Sequence, residues 1–386
     1  MKLVKGNISA VEGFLGLGKC IGIKKGKKDF AVIFSDKVCS AAAVYTKNNV
    51  KGAPVYVNKE HLKTGKAQAI VINSGIANVA TGKKGIADAK KTCELAAREL
   101  GIKPNRVLVA STGIIGKKLP MDLMAKGIKG MKSQLSKLNQ AAQAILTTDT
   151  VKKEIAVKEG GFTIGAIAKG SGMIHPNMAT MLCFITTDAD LTPGELHKCL
   201  INSVNDSFNM VSVDMDTSTS DMVIVMSNNK KKANVAAFQK ALNHVCTEMA
   251  KKIATDGEGA TKLVEVLVKN AKTKIDARKM AKAVICSNLV KCAMYGNDPN
   301  WGRIISAVGN SGGYFVENKI DIYLQGKKIV SGGVEVKSFD AKAISKSLKA
   351  DEVKVVIDAH LGKENATAYG CDMSYDYVTI NADYHT

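Results

Sequence analysis

The stretch KGSGMIHPNMATMLCFITTD, from Lys169 to Asp188, decides how the chain is put together. It opens as a loop of Gly, Ser, His, Pro and Asn through Ala179, then continues into an apolar, β-branched run, 180–187, that reads as a strand. Another such run, 162–168, stands immediately before it. Two strands joined by a loop, with no helix between them to carry a crossover, pair antiparallel. Working outward, further runs rich in Val and Ile read as strands at 29–35, 69–73, 107–111, 222–227, 263–268, 321–324, 353–358 and 377–381. Helical periods lie between several of them. Residues 83–100 put Ile86, Ala89, Cys93, Ala96 and Leu100 on one face, and 236–253 do the same with Phe238, Leu242, Val245 and Met249. Thr192-Pro193-Gly194-Glu195 is a capping box with proline at the first helical position. The class is mixed α/β, with much antiparallel pairing.

Composition narrows the function. With 386 residues, 46% apolar and 23% charged, the chain buries a sizeable core and is neither disordered nor fibrous. No apolar run approaches the roughly 18–20 residues of a membrane span, and 1–30 lacks a continuous apolar leader, so a soluble, cytoplasmic protein is expected. Nine cysteines, an odd number without a C-x-x-C pair, argue against a disulfide framework and a zinc site. The net charge of +20 raises nucleic-acid binding as one reading. Only Arg98, Arg106, Arg278 and Arg303 are arginines, aromatics make up 5%, and the lysines are dispersed, so a solvated basic surface is the better reading.

Several motifs fall short of their chemistry. Gly13 to Cys20 approaches a phosphate loop but ends in Cys20 where a hydroxyl is needed, and 21–29 is no helix; a glycine turn is expected. Asp214-Met215-Asp216 begins like a calcium loop, yet the turn glycine is missing and Val225 occupies the place of the bidentate Glu, leaving a hydroxyl-rich turn. Six histidines form no H-E-x-x-H. No metal site is expected. Thr180 remains. A threonine at a strand start is ordinarily structural, but were the bond before it cut, its own α-amine, with a pKa near ~8, would be a base beside its hydroxyl.

The run from Lys169 to Leu182 resembles, almost residue for residue, the self-cleavage signature K-G-S-G-M-I-x-P-N-M-A-T-M-L of the ornithine acetyltransferase (glutamate N-acetyltransferase) family. Agreement extends to Ser111-Thr112-Gly113-Ile114-Ile115-Gly116, Leu146 to Thr150, Glu258-Gly259-Ala260-Thr261-Lys262, Asn297 to Arg303 and the ending Asn381 to Thr386, nearly the whole chain. The resemblance implies a layered α/β/β/α sandwich, self-cleaved between Ala179 and Thr180 into two interleaved chains. These would be 1–179 and 180–386, paired into an α2β2 heterotetramer. It implies Thr180 as nucleophile for acetyl transfer from N-acetylornithine to glutamate in arginine biosynthesis, and Thr112 and Gly113 as the oxyanion hole. Substrate would be bound by Thr148, Lys169, Thr180, Glu258, Asn381 and Thr386, with no cofactor; Thr148 is chosen among Thr147, Thr148 and Thr150, which the residues leave open. Opposite charges at Lys169 and Glu258 suit an amino acid, although Glu258 and Lys262 by themselves would read as a surface i,i+4 pair. Departures occur at 73–82, where the family's Asn and Cys are lost, at Asp214-Met215-Asp216 in place of D-G-D, and at Ser220. The altered 73–82 loop leads to the expectation that N-acetylornithine is a better donor than acetyl-CoA. Rival readings are an N-terminal-nucleophile amidohydrolase or aminopeptidase and a lysine-rich nucleic-acid-binding protein.

Overall fold

The computed structural model describes residues 1–175 and 181–383, arranged in two compact units. The first holds 1–170, 181–205 and 217–249; the second holds 171–175, 206–216 and 250–383. Each carries its own sheet and its own helices, so the mixed α/β class holds in both.

The first unit is built on a nine-stranded sheet. Period-2 alternation buries both of its faces: Ala31, Ile33, Ile70, Ile72, Leu108 and Ala110 point into one core, and Phe30, Val32, Ala69, Val71, Val107 and Val109 into another. The helix Gly82–Leu100 covers the second face with Ala89, Cys93, Ala96 and Leu100, the stripe its sequence shows, and stops at Gly101 in the left-handed region. The capping box is present as written: Glu195 accepts from the Thr192 N–H at 2.8 Å and Thr192 Oγ1 accepts from the Glu195 N–H at 3.3 Å, opening the helix Pro193–Asn205.

Strands Phe162–Lys169 and Leu182–Asp190 pair antiparallel, with Lys169 opposite Leu182. Leu182–Asp190 then runs parallel to Met222–Lys232, which is antiparallel to the long strand Phe30–Tyr45. Segments on both sides of 176–180 are thereby woven into one sheet.

The second unit has a seven-stranded sheet, ordered Val334–Glu335, Lys327–Ser331, Asp321–Leu324, Glu352–Asp358, Leu263–Ala271, Glu364–Cys371 and Val211–Ser212. Val264, Val266, Val268, Val353, Val355 and Ile357 share its core with the helices Lys274–Cys286, Asn288–Tyr295 and Trp301–Gly309.

Two expectations are corrected. Residues 377–381 are not a strand but lie in the helix Tyr375–Asp383; the sheet position beside Glu364–Cys371 is already filled by Val211–Ser212 on one side and Leu263–Ala271 on the other. The glycine turn expected at 13–20 is confined to Gly13, with φ +85°; Gly16 and Gly18 lie in the strand Phe14–Lys19, and a Cβ on Gly18 would stand 2.1 Å from the Gln140 carbonyl oxygen, so glycine there admits a neighbouring backbone.

Candidate active site

In the first unit, Thr112 and Gly113 lie near the end of the strand Val107–Ile114, beside Lys66–Ile76. The ladder is regular through Ser74 and Thr112 and becomes irregular after Gly75 and Gly113. Gly113 has φ +127°, and a Cβ there would sit 2.3 Å from the Gly75 carbonyl carbon, so only glycine fits. Asn73 steadies this end: its Oδ1 accepts from Ser111 Oγ at 2.6 Å and its Nδ2 donates to the Ile76 carbonyl at 2.8 Å. Thr112 is buried.

Lys169 ends its strand with 8% exposure, in a cluster of buried charges. The Asp149 side chain is fully buried. It accepts from the Gly170 N–H at 2.6 Å, the Thr147 N–H at 3.0 Å and Lys153 Nζ at 2.8 Å, with Lys169 Nζ at 3.9 Å. Burial pushes its carboxyl up, but the two lysines and the N–H donors outweigh this and bring it down to about 2. Asp149 thus fixes both the 147–150 run and the strand end that carries Lys169. Thr148 is half-buried in that run, and the N–H of Thr147 is committed to Asp149. Asp221 is buried too, and one carboxylate oxygen has no partner; burial raises its pKa well above the usual range, with the charge of Lys169 opposing. Neither aspartate was given a role from the sequence. Asp149 stood inside a motif of the family resemblance, and Asp221 ends the Asp214–Asp221 stretch read as a hydroxyl-rich turn.

In the second unit, Glu258 and Asn381 meet: Asn381 Nδ2 donates to Glu258 Oε2 at 3.0 Å. The Glu258 N–H donates to the Ser171 carbonyl at 3.2 Å, and a Cβ on Gly172 would stand 2.3 Å from the Glu258 carboxylate carbon. Gly172, the second glycine of K-G-S-G, leaves room for that carboxylate. Asp372 holds the rest of the Glu258–Lys262 motif, accepting the N–H groups of Thr261 and Lys262 at 2.8 and 3.0 Å. Lys262 does not pair with Glu258; it donates to the Met294 carbonyl at 2.8 Å and to Asn297 Oδ1 at 2.5 Å, which ties two of the sequence motifs into one scaffold.

Ala179, Thr180 and Thr386 lie outside the described residues. Among the described residues no cluster of three or more His, Cys, Asp or Glu is arranged to hold a metal ion. No described helix is long and apolar enough to cross a membrane.

The family model for the ArgJ family matches residues 17–386. The chain belongs to the ArgJ family. Its relatives within that family include the arginine biosynthesis bifunctional protein ArgJ of Caldanaerobacter subterraneus subsp. tengcongensis, 48% identical with all of both chains covered. The protein of the same name from Bacillus cereus is 46% identical, over 100% of this chain and 98% of that one. Among solved structures, the arginine biosynthesis bifunctional protein ArgJ of Bacillus halodurans aligns at 42% identity with a TM-score of 0.50, covering 52% of this chain and 97% of that one. Membership makes the chain an acyltransferase of arginine biosynthesis.

Proposed function

We propose that this ArgJ family member moves an acetyl group from N-acetylornithine to glutamate through an acetyl ester on Thr180. The nucleophile is released by self-cleavage. The Thr180 hydroxyl attacks the Ala179 carbonyl carbon, the Ala179–Thr180 C–N bond breaks to free the α-amine, and water hydrolyses the resulting ester to a carboxylate on Ala179 and a free hydroxyl on Thr180. In the first half-reaction that hydroxyl takes acetyl from N-acetylornithine and ornithine leaves; in the second the glutamate amine takes it from the ester. Thr112 and Gly113 donate to the oxyanion formed in each step. Lys169 and Glu258 supply the charges an amino acid's carboxylate and ammonium need, with Thr148, Asn381 and Thr386 as further contacts.

The observation that carries this reading is the antiparallel pairing of Phe162–Lys169 with Leu182–Asp190. A cut at Ala179–Thr180 would leave one strand of each fragment, Phe162–Lys169 and Leu182–Asp190, paired in one sheet, with the nucleophile two positions before the second strand in the sequence. That nearly all of the Bacillus halodurans chain matches only 52% of this one agrees with an enzyme made of two pieces. The two fragments would assemble as α2β2 in the cytoplasm.

The test is intact-mass measurement of the purified wild type and of Thr180→Ala. Wild type is expected as fragments 1–179 and 180–386, and the variant as one inactive chain. A single wild-type chain with full acetyl-transfer activity would overturn the proposal. Because the relatives are named bifunctional, acetyl-CoA is assayed beside N-acetylornithine, which is expected to be the better donor. Acetate released without glutamate as fast as acetylglutamate forms with it would mark a hydrolase instead.

A further inference from the structure

The aspartate that the sequence offers as the start of an incomplete calcium loop has another use in the structure. Asp214 accepts two successive N–H groups of the 171–175 segment, from Met173 to Oδ2 at 2.6 Å and from Ile174 to Oδ1 at 2.8 Å. Met173 has φ +55°, a left-handed conformation that costs a side-chain-bearing residue free energy unless something holds it. That conformation is what turns consecutive N–H groups toward a single anion. The neighbouring backbone completes the grip, since the Val213 N–H donates to the Ile174 carbonyl at 2.7 Å. On its other side the segment is fastened at Ser171, whose Oγ donates to the Asp256 carbonyl at 2.6 Å and whose own carbonyl accepts from Glu258.

Resting on the self-cleavage proposed above, we infer that Asp214 is a positioning residue for that cleavage. It sets the kink at Met173, and thereby the direction in which the chain leaves Ile174 toward the scissile bond. An intramolecular acyl shift depends steeply on the approach of hydroxyl to carbonyl, and a misplacement of about 1 Å costs roughly 10²-fold. Asparagine at this position keeps one accepting oxygen but sets an amide NH2 against the second N–H, whereas alanine removes both acceptors. Asp214 contributes no group to the transfer itself, so its loss falls on maturation rather than on turnover.

The experiment follows newly translated full-length chain from one band to two, with intact mass identifying the ends, for wild type, Asp214→Asn and Asp214→Ala. Cleavage is expected to slow about 10-fold in Asp214→Asn and about 10²-fold in Asp214→Ala. Once cut, each variant is expected to show kcat and KM, per two-chain molecule, close to wild type, and the uncut chains are expected to melt close to uncut Thr180→Ala. Asp214→Asn cleaving at the wild-type rate would overturn the inference while leaving self-cleavage standing. Cleavage and melting temperature falling together would overturn it as well, by assigning Asp214 to general stability. A wild type that never cuts at Ala179–Thr180 would instead overturn the reading on which the inference rests.

Discussion

Two charged clusters, one in each unit, hold residues proposed for the site, and they are built in opposite ways. In the first unit, Asp149 and Lys153 have fully buried side chains in direct contact, and Lys169 is held nearby at 10% side-chain exposure. In the second, Glu258 meets Asn381 through one exposed hydrogen bond from a helix, Tyr375–Asp383, with no buried residue. Where charges are sequestered and mutually satisfied, removing one leaves another uncompensated, and stability suffers. A charge at an open edge costs little to remove, and the loss appears in what it binds. One cluster is framework and the other is reach.

The largest effect should come from breaking the framework. Asp149→Asn removes the carboxylate charge that faces the buried Lys153 and is expected to cost roughly 3–5 kcal/mol, read as a lower urea midpoint at unchanged m-value; a loss under about 1 kcal/mol would erase the contrast between the clusters. Thr112→Ala should leave stability near wild type and lower kcat about 10²–10³-fold with little change in KM, because an oxyanion donor acts on charge that develops in the transition state. Steady-state kinetics with both substrates check this, and a rise in KM alone would contradict the role. Glu258→Gln should lie at the other end of the comparison, raising KM for the acetyl donor about 10- to 100-fold while the unfolding midpoint hardly moves.

The smallest effect sharpens the comparison through pH. Burial, with the charge of Lys282 second, brings His175 in the second unit down to about 4 from 6.5. The unfolded chain binds that proton first, so stability falls as pH drops from about 6.5 to 4. Asp149 shifts in the same direction for a different reason: against burial, the lysine charges and N–H donors lower its pKa to about 2 from 3.8, so its contribution is intact above about 4 and is lost as pH falls through 2. Denaturation midpoints across pH 7 to 4 should slope for wild type and flatten in His175→Gln; an unchanged slope would count against a half-buried, neutral His175.

Much of the fold was legible because local signals and tertiary burial agree. The stripe at 83–100 and the capping box at Thr192 needed no distant information. At 377–381 they disagree: Val378, Thr379 and Ile380 are β-branched, but both flanks of the preceding strand Glu364–Cys371 are taken, and the segment closes on Gly259 as a helix. Phe14–Lys19 was hidden by glycines that serve the packing of Gln140. Motif resemblance proposes Thr112, Gly113, Lys169, Glu258 and Asn381 for the site, and of these the structure brings Glu258 together with Asn381. The residues that hold these groups were not legible. Asp149 reaches Gly170 across 21 positions and Asp214 reaches Met173 across 41, and nothing in a linear pattern announces an aspartate whose partners are backbone N–H groups so far away.

The central claim is a covalent acetyl-threonine in a self-cut chain, and one mass spectrum tests it most directly. Purified protein is incubated with N-acetylornithine in the absence of glutamate, quenched in acid and digested. The expected result is a fragment beginning at Thr180 that carries one acetyl group on that residue and loses it when glutamate is added, with acetylglutamate formed in equal amount. An unmodified Thr180, or an uncut chain that forms acetylglutamate at the full rate, would contradict it.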